Sequence, residues 1–287
     1  MHPTSIRVPG ANGLSLQLLE WSQEGPALLF LHGFDNDAHV WDEFAPTFAP
    51  YYRTLALDQR GHGDSDWDPK DRYDHETMAQ DVEHVLDALG IKRVALIGHS
   101  LGGRVSMRFA GRNPERLSGL VLVDCGPELD TRGVTRIQLE TQSSEPSFGS
   151  VQEFEDILAR RYPEAAPTTL SQLAQHWLRE RPDGRFEPKT APNFGRTWEA
   201  QSAEEARSRM KEEADRLWDA LKLTSCPTLV IRGAASDVLD PDTAERMVDE
   251  ALPNGRLEVI PRAGHSVMLD NPAGFLAGIA RFALADA

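Results

Sequence analysis

Cysteine is scarce in these 287 residues: Cys125 and Cys226 are the only two. They fall at opposite ends of two predicted parallel strands, about 17 Å apart, whereas a disulfide needs Cα atoms within about 7 Å. A disulfide framework is excluded, and reduced thiols are expected, as in the cytosol. Basic residues are also few, 30 Lys and Arg against 45 Asp and Glu, for a net charge of −15. That surplus repels a phosphate backbone, so no nucleic-acid partner is expected. No stretch approaches the eighteen or so apolar residues of a membrane helix, and no membrane partner is expected either. The opening MHPTSIRVPGANG has no basic segment leading into an apolar run, so no export signal is read and a cytoplasmic location is the expectation. Also missing are a Walker-type glycine loop, a GxGxxG after a strand and an HExxH zinc motif. No cofactor or metal is expected. A small-molecule substrate is, and the sequence does not set the oligomeric state.

What is present is an alternating chain. Ser5–Val8 and Leu14–Trp21 flank PGANG, a turn signal, and read as an antiparallel opening pair. Residues 27–33, ALLFLHG, form a continuous apolar run, the signature of a strand buried on both faces of a parallel sheet. Similar runs recur at Thr54–Asp58, Arg93–Gly98, Leu120–Asp124, Thr228–Gly233 and Leu257–Ile260. Between them, Met78, Val82, Val85, Leu86 and Leu89 recur at helical spacing. Val105 and Phe109 continue a helix from Ser100 that Asn113-Pro114 stops, and Asp242 to Leu252 and Pro272 to Ala285 give two more. Strand and helix alternate, which predicts a doubly wound, mostly parallel α/β sheet.

One interval breaks the rhythm. Residues 126–224 separate two strands by far more than a usual connection. The interval carries helical stripes at Val151, Phe154, Ile157 and Leu158, at Leu170, Leu173, Trp177 and Leu178, and at Met210, Ala214, Leu217, Trp218 and Leu221. It reads as an inserted helical cap, with residues 1–125 and 225–287 as the two parts of the core. For each stripe, packing against the sheet domain is the expected role.

The chemistry centres on VALIGHSLGGRVSM, residues 94–107, where a buried strand turns into a helix. A serine hydroxyl is a poor nucleophile unless a base takes its proton. Ser100 sits between Gly98 and Gly102, which relieve crowding around a strained turn that lifts the side chain clear of the sheet. His265 follows the Leu257–Ile260 strand, at the same carboxyl edge, and is the expected base. His32 and His99 flank the site beside glycines and are read as buried, hydrogen-bonded residues. His62 is read as a loop stabiliser, and His2, His39, His75, His84 and His176 as exposed or local. The imidazole needs a carboxylate to orient it. Asp237, in RGAASDVLD after the Thr228–Gly233 strand, is preferred; Asp124, ending the preceding strand at the same edge, is the rival. Asp240 and Asp242 suit a helix start. Backbone N–H groups of Leu101 and Phe34 are the expected donors to an oxyanion. Trp41 and Phe44 are read as helix anchors.

These residues resemble the α/β-hydrolase superfamily, in particular its capped bacterial esterase and lactonase-like branch. The resemblance rests on LHGF, DQRGHGDSD, GHSLGG, RGAASD and RAGH in that order, and covers the chain outside the cap. It implies Ser100, Asp237 and His265 as the triad, with Phe34 and Leu101 as oxyanion donors and no cofactor. The implied activity is a serine hydrolase cleaving a small or medium carboxylic ester, lactone or thioester through an acyl-enzyme. A carbon–carbon bond hydrolase with the same triad is the chemical alternative. A non-catalytic ligand-binding member of the fold is the alternative from another class.

Overall fold

The structure, a computed structural model, describes residues 2–143, 147–194 and 202–284. The chain opens on an antiparallel pair, Thr4–Pro9 (β1) and Ser15–Glu20 (β2). Ala27–Leu31 (β3) follows, then a loop with a 3₁₀ turn at Ala38–Trp41 and the short helix Ala45–Phe48 (α1). Next come Arg53–Leu57 (β4), His75–Ala88 (α2), Val94–His99 (β5), Leu101–Arg112 (α3) and Leu117–Val123 (β6). Residues after β6 form Thr131–Ser143 (α4), Val151–Arg161 (α5), Pro167–Trp177 (α6), the small hairpin Leu178–Glu180 (β7) and Phe186–Pro188 (β8), and the long helix Ala203–Leu223 (α7). The chain closes with Thr228–Gly233 (β9), Pro241–Arg246 (α8), Gly255–Ile260 (β10), Val267–Asp270 (α9) and Pro272–Ala283 (α10). Ala285, the expected end of the last helix, lies outside the described residues.

Eight strands form one sheet in the order β1-β2-β4-β3-β5-β6-β9-β10, parallel from β4 onward. The unbroken apolar runs are explained by burial on both faces. Leu29, Leu31, Leu96 and Leu122 face one core with Val82, Val85, Val105 and Phe109 from α2 and α3. Leu28, Phe30, Ile97 and Val123 face the other with Trp41, Phe44, Phe48 and Phe275. Trp41 and Phe44 are thus buried core residues, as read from the sequence. Both cysteines are buried and free.

The helices after β6 do not share one role in packing. α5 and α6 send Leu158, Leu170, Leu173 and Trp177 into the Trp41–Phe275 cluster. α7 instead lies on α3: Leu217 and Leu221 join the core of α2 and α3, and Ala220 sits so close to Gly111 that a Cβ there would meet it at 2.7 Å. The third stripe is therefore part of the layer covering the sheet. α4 has no clear apolar stripe and was not anticipated. Its residue Arg136 proves decisive at the site.

Candidate active site

β5 delivers Ser100 to the carboxyl edge of the sheet. The residue has φ 50° and ψ −111°, a left-handed backbone that costs a non-glycine residue roughly 1–3 kcal/mol. Three neighbouring glycines are required by close approach, two of them to backbone and one to a buried side chain. A Cβ at Gly98 would lie 2.5 Å from the Gly102 carbonyl oxygen, one at Gly102 would lie 2.4 Å from that of Leu31, and one at Gly103 would lie 2.1 Å from Cys125 Sγ. The Ser100 amide donates to the Val123 carbonyl at 3.0 Å, which ties the turn to β6. The hydroxyl of Ser100 is 2.9 Å from Nε2 of His265.

The other imidazole nitrogen decides between the two carboxylates. Nδ1 of His265 is 2.8 Å from Oδ2 of Asp124. Asp124 follows β6 with φ 47°, and its side chain is fully buried. Its Oδ1 accepts from the Gly233 amide at 2.9 Å, and its Oδ2 also accepts from the Ser236 hydroxyl at 2.5 Å. Asp237, the preferred acid of the sequence reading, is not the partner of His265. Its carboxylate is held by Nε and Nη2 of Arg136 on α4, at 2.7 and 2.9 Å, and that guanidinium keeps it below the usual carboxylate range. The correction has a geometric cause. β6 lies between β5 and β9, so the acid at its end is the one adjacent to Ser100. What RGAASD contributes is Ser236, whose hydroxyl orients Asp124.

The loop carrying His265 is fixed from several sides. The Gly264 amide donates to Asp270 Oδ2 at 2.8 Å, and Nε2–H of His99 donates to the His265 carbonyl at 3.0 Å. Burial, followed by the nearby His265, pushes His99 down to about 3, so it is held as a neutral donor. His32 is also buried and held well below its ordinary value, by burial first and then by His62. Nδ1–H of His32 donates to the Gly33 carbonyl at 2.8 Å, and its Nε2 accepts from the Gln59 amide at 3.0 Å. Both histidines therefore have the hydrogen-bonded roles read from the sequence. Gly33 lets the loop after β3 pass against the His99 ring and the serine, since a Cβ there would lie 2.6 Å from His99 Nδ1 and 3.4 Å from Ser100 Cβ. Leu101 is the first residue of α3, where backbone N–H groups have no acceptor within the helix. The next amide, Gly102, is occupied by the His32 carbonyl at 3.1 Å.

Described residues between β6 and β9 pack on the loops at this edge. Phe194 packs on Phe34 with ring centroids 5.4 Å apart and on His62 at 4.5 Å. Asp35, at the start of the same loop, has φ 62°. The Ala191 amide donates to the Gly61 carbonyl at 2.7 Å.

Residues 26–272 match the family model described as the alpha/beta hydrolase fold. The chain belongs to the α/β-hydrolase family. Similar proteins include a pimeloyl-[acyl-carrier protein] methyl ester esterase of Aeromonas hydrophila, 30% identical over 90% of this chain and 96% of the relative. A 2-(acetamidomethylene)succinate hydrolase of Mesorhizobium japonicum is 27% identical over 90% and 88%. A solved structure of E-2-(acetamidomethylene)succinate hydrolase superposes with a TM-score of 0.83 at 26% identity, covering 100% of both chains. Among the described residues of this α/β hydrolase, no helix is long and apolar enough to cross a membrane.

His62 gives the hydrolase a measurable acid liability. Its Nδ1–H donates to the Arg60 carbonyl at 3.2 Å, its Nε2 is buried without a partner among the described residues, and burial pushes it down to about 4. Below pH 6.5 the unfolded chain takes a proton at this residue that the folded protein refuses, so stability contributed by neutral His62 falls as pH falls. His62→Asn keeps a donor for the Arg60 carbonyl and removes the titration. Urea unfolding of both proteins at pH 7.5 and pH 5 is expected to show the variant gaining about 2 kcal/mol relative to wild type at the lower pH. An unchanged gap would mean His62 is protonated in the fold.

Proposed function

We propose that this chain is a serine hydrolase acting on a small or medium carboxylic ester, lactone or thioester. The observation carrying the proposal is the unbroken hydrogen-bonded series from Ser100 Oγ through His265 to buried Asp124. Nε2 of His265 takes the hydroxyl proton as Oγ adds to the carbonyl carbon. Asp124 holds Nδ1–H and stabilises the imidazolium. The tetrahedral oxyanion accepts from the main-chain N–H groups of Leu101 and Phe34. Collapse breaks the bond to the leaving group, which takes the proton from Nε2. A water then gives its proton to Nε2 and attacks the acyl carbon, and Oγ departs with the proton from Nε2, which releases the acid and restores Ser100 and neutral His265.

Helices α4 to α6 and the segment through Phe194 act as the cap. Phe194, packed on Phe34, is one of its contributions at this edge, and substrate choice resides in the cap. The methyl ester esterase among the relatives supports ester chemistry.

The test is fluorophosphonate labelling with peptide mapping, alongside turnover of p-nitrophenyl acetate, butyrate and octanoate. A single adduct on Ser100 together with turnover supports the proposal, and the chain-length profile sizes the pocket. An adduct without ester turnover favours the carbon–carbon hydrolase. No adduct and no turnover in folded protein leaves a ligand-binding member of the fold.

A further inference from the structure

His39 and His176, read from the sequence as exposed or local, meet across the molecule. His39 lies on the loop after β3, and His176 near the end of α6. Their rings stack with centroids 3.4 Å apart and planes 12° apart. Asp42 completes the group: its Oδ2 lies 2.9 Å from His39 Nδ1. One donor atom from each of the three lies within 4.8 Å of the other two. All three are half-buried.

Two features mark this cluster as more than a chance contact. Asp42 Oδ1 is buried and has no hydrogen-bond partner among the described residues. A carboxylate oxygen removed from water without a donor is costly, and a cation is one means of satisfying it. Carboxyl side chains also lie close: those of Asp37 and Asp58, besides Asp42, interact with His39. Asp37 further accepts from Trp177 Nε1 at 3.0 Å, which fixes the end of α6 against the same loop.

We propose that His39, Asp42 and His176 bind one divalent transition-metal ion of the zinc class, clipping α6 to the loop after β3. Two imidazole nitrogens and a carboxylate oxygen suit zinc, nickel or copper, with a water in the fourth position. Zinc–ligand bonds near 2.0–2.2 Å place donors about 3.3 Å apart, so the present spacing must contract by rotation of the side chains. An ion cannot lie in the plane of both rings while they are parallel. Binding therefore turns at least one imidazole about its Cβ–Cγ bond and breaks the stack. The clip is remote in sequence from Ser100 and His265 and does not depend on the proposed hydrolase activity.

The test uses full-length, tag-free protein stripped with a chelator. Zinc is titrated by calorimetry, and cobalt(II) is added as a spectroscopic probe of coordination. One saturable equivalent is expected, with Tm rising ~5 °C at a hundredfold excess of zinc over Kd. His39→Ala and His176→Ala are each expected to weaken binding at least tenfold, and Asp42→Asn, nearly isosteric, to do the same. His84→Ala, on the outer face of α2, is the control and is expected to bind as wild type. Circular dichroism of the metal-free variants separates lost ligation from lost folding. Absence of saturable binding, or binding of equal strength in the His39, Asp42 and His176 variants, overturns the proposal.

Discussion

Asp124→Asn is expected to lower kcat of ester hydrolysis about 10⁴-fold, while Asp237→Asn stays within a few fold of wild type. The asparagine preserves size but offers His265 a neutral partner. It can present an N–H where Nδ1–H needs an acceptor, which favours the wrong tautomer for proton abstraction. Asp124 has no solvent to compensate, because its side chain is fully buried and its other contacts are the Gly233 amide and Ser236 hydroxyl. Asp237 is half exposed and its two oxygens belong to Arg136, so its loss frees an arginine at the surface of α4. Steady-state kinetics of the two variants on one activated ester decides the matter. Equal losses would assign His265 to a carboxylate other than the one it contacts here.

Ser100→Ala is expected to remove a larger factor, about 10⁶ in kcat, and to abolish fluorophosphonate labelling. The residual rate is not zero. Main-chain donors at the start of α3 and after β3 survive the substitution, and such groups with substrate binding retain about 10³–10⁴ over the uncatalysed reaction. The serine backbone is left-handed, so alanine inherits the same strained turn and the fold should persist. Intact mass after labelling and burst-corrected kinetics check both statements. A variant that still labels would place the nucleophile elsewhere.

The sheet was readable because parallel strands buried on both faces leave uninterrupted apolar runs, and ALLFL, VALIGH and TLVIRG all became strands. Ser100 and His265 were readable for a related reason. Ser100 directly follows β5 and His265 lies five residues past the end of β10, and strand ends share an edge in a parallel sheet. The acid was not readable, since Asp124 and Asp237 both follow strands at that edge. What separates them is tertiary: a left-handed φ at Asp124, a hydroxyl from Ser236, and Arg136 on a helix whose sequence, TRGVTRIQLETQS, has no apolar stripe to announce it. The Leu217–Leu221 stripe was visible, but which surface it covers is set by close approach to Gly111, a contact between distant residues. The pairing of His39 with His176 left no local trace at all.

The chain leaves β6 through a short corridor that is anchored before it reaches α4. Nη1 of Arg104 binds the carbonyls of Gly126 and Pro127 at 2.7 and 3.1 Å, and Glu128 accepts from Trp218 Nε1 at 2.9 Å. Arg246 lies over the Trp218 ring and pairs with the same glutamate. Mechanically, these clamps fix the exit from β6, while α4 reaches the same edge by a second route: Arg136 grips the Asp237 carboxylate, and the Asp130 and Gly133 amides donate to the Val238 and Asp237 carbonyls. A displacement of α4 is therefore felt at Asp237, one residue from the Ser236 hydroxyl that holds Asp124.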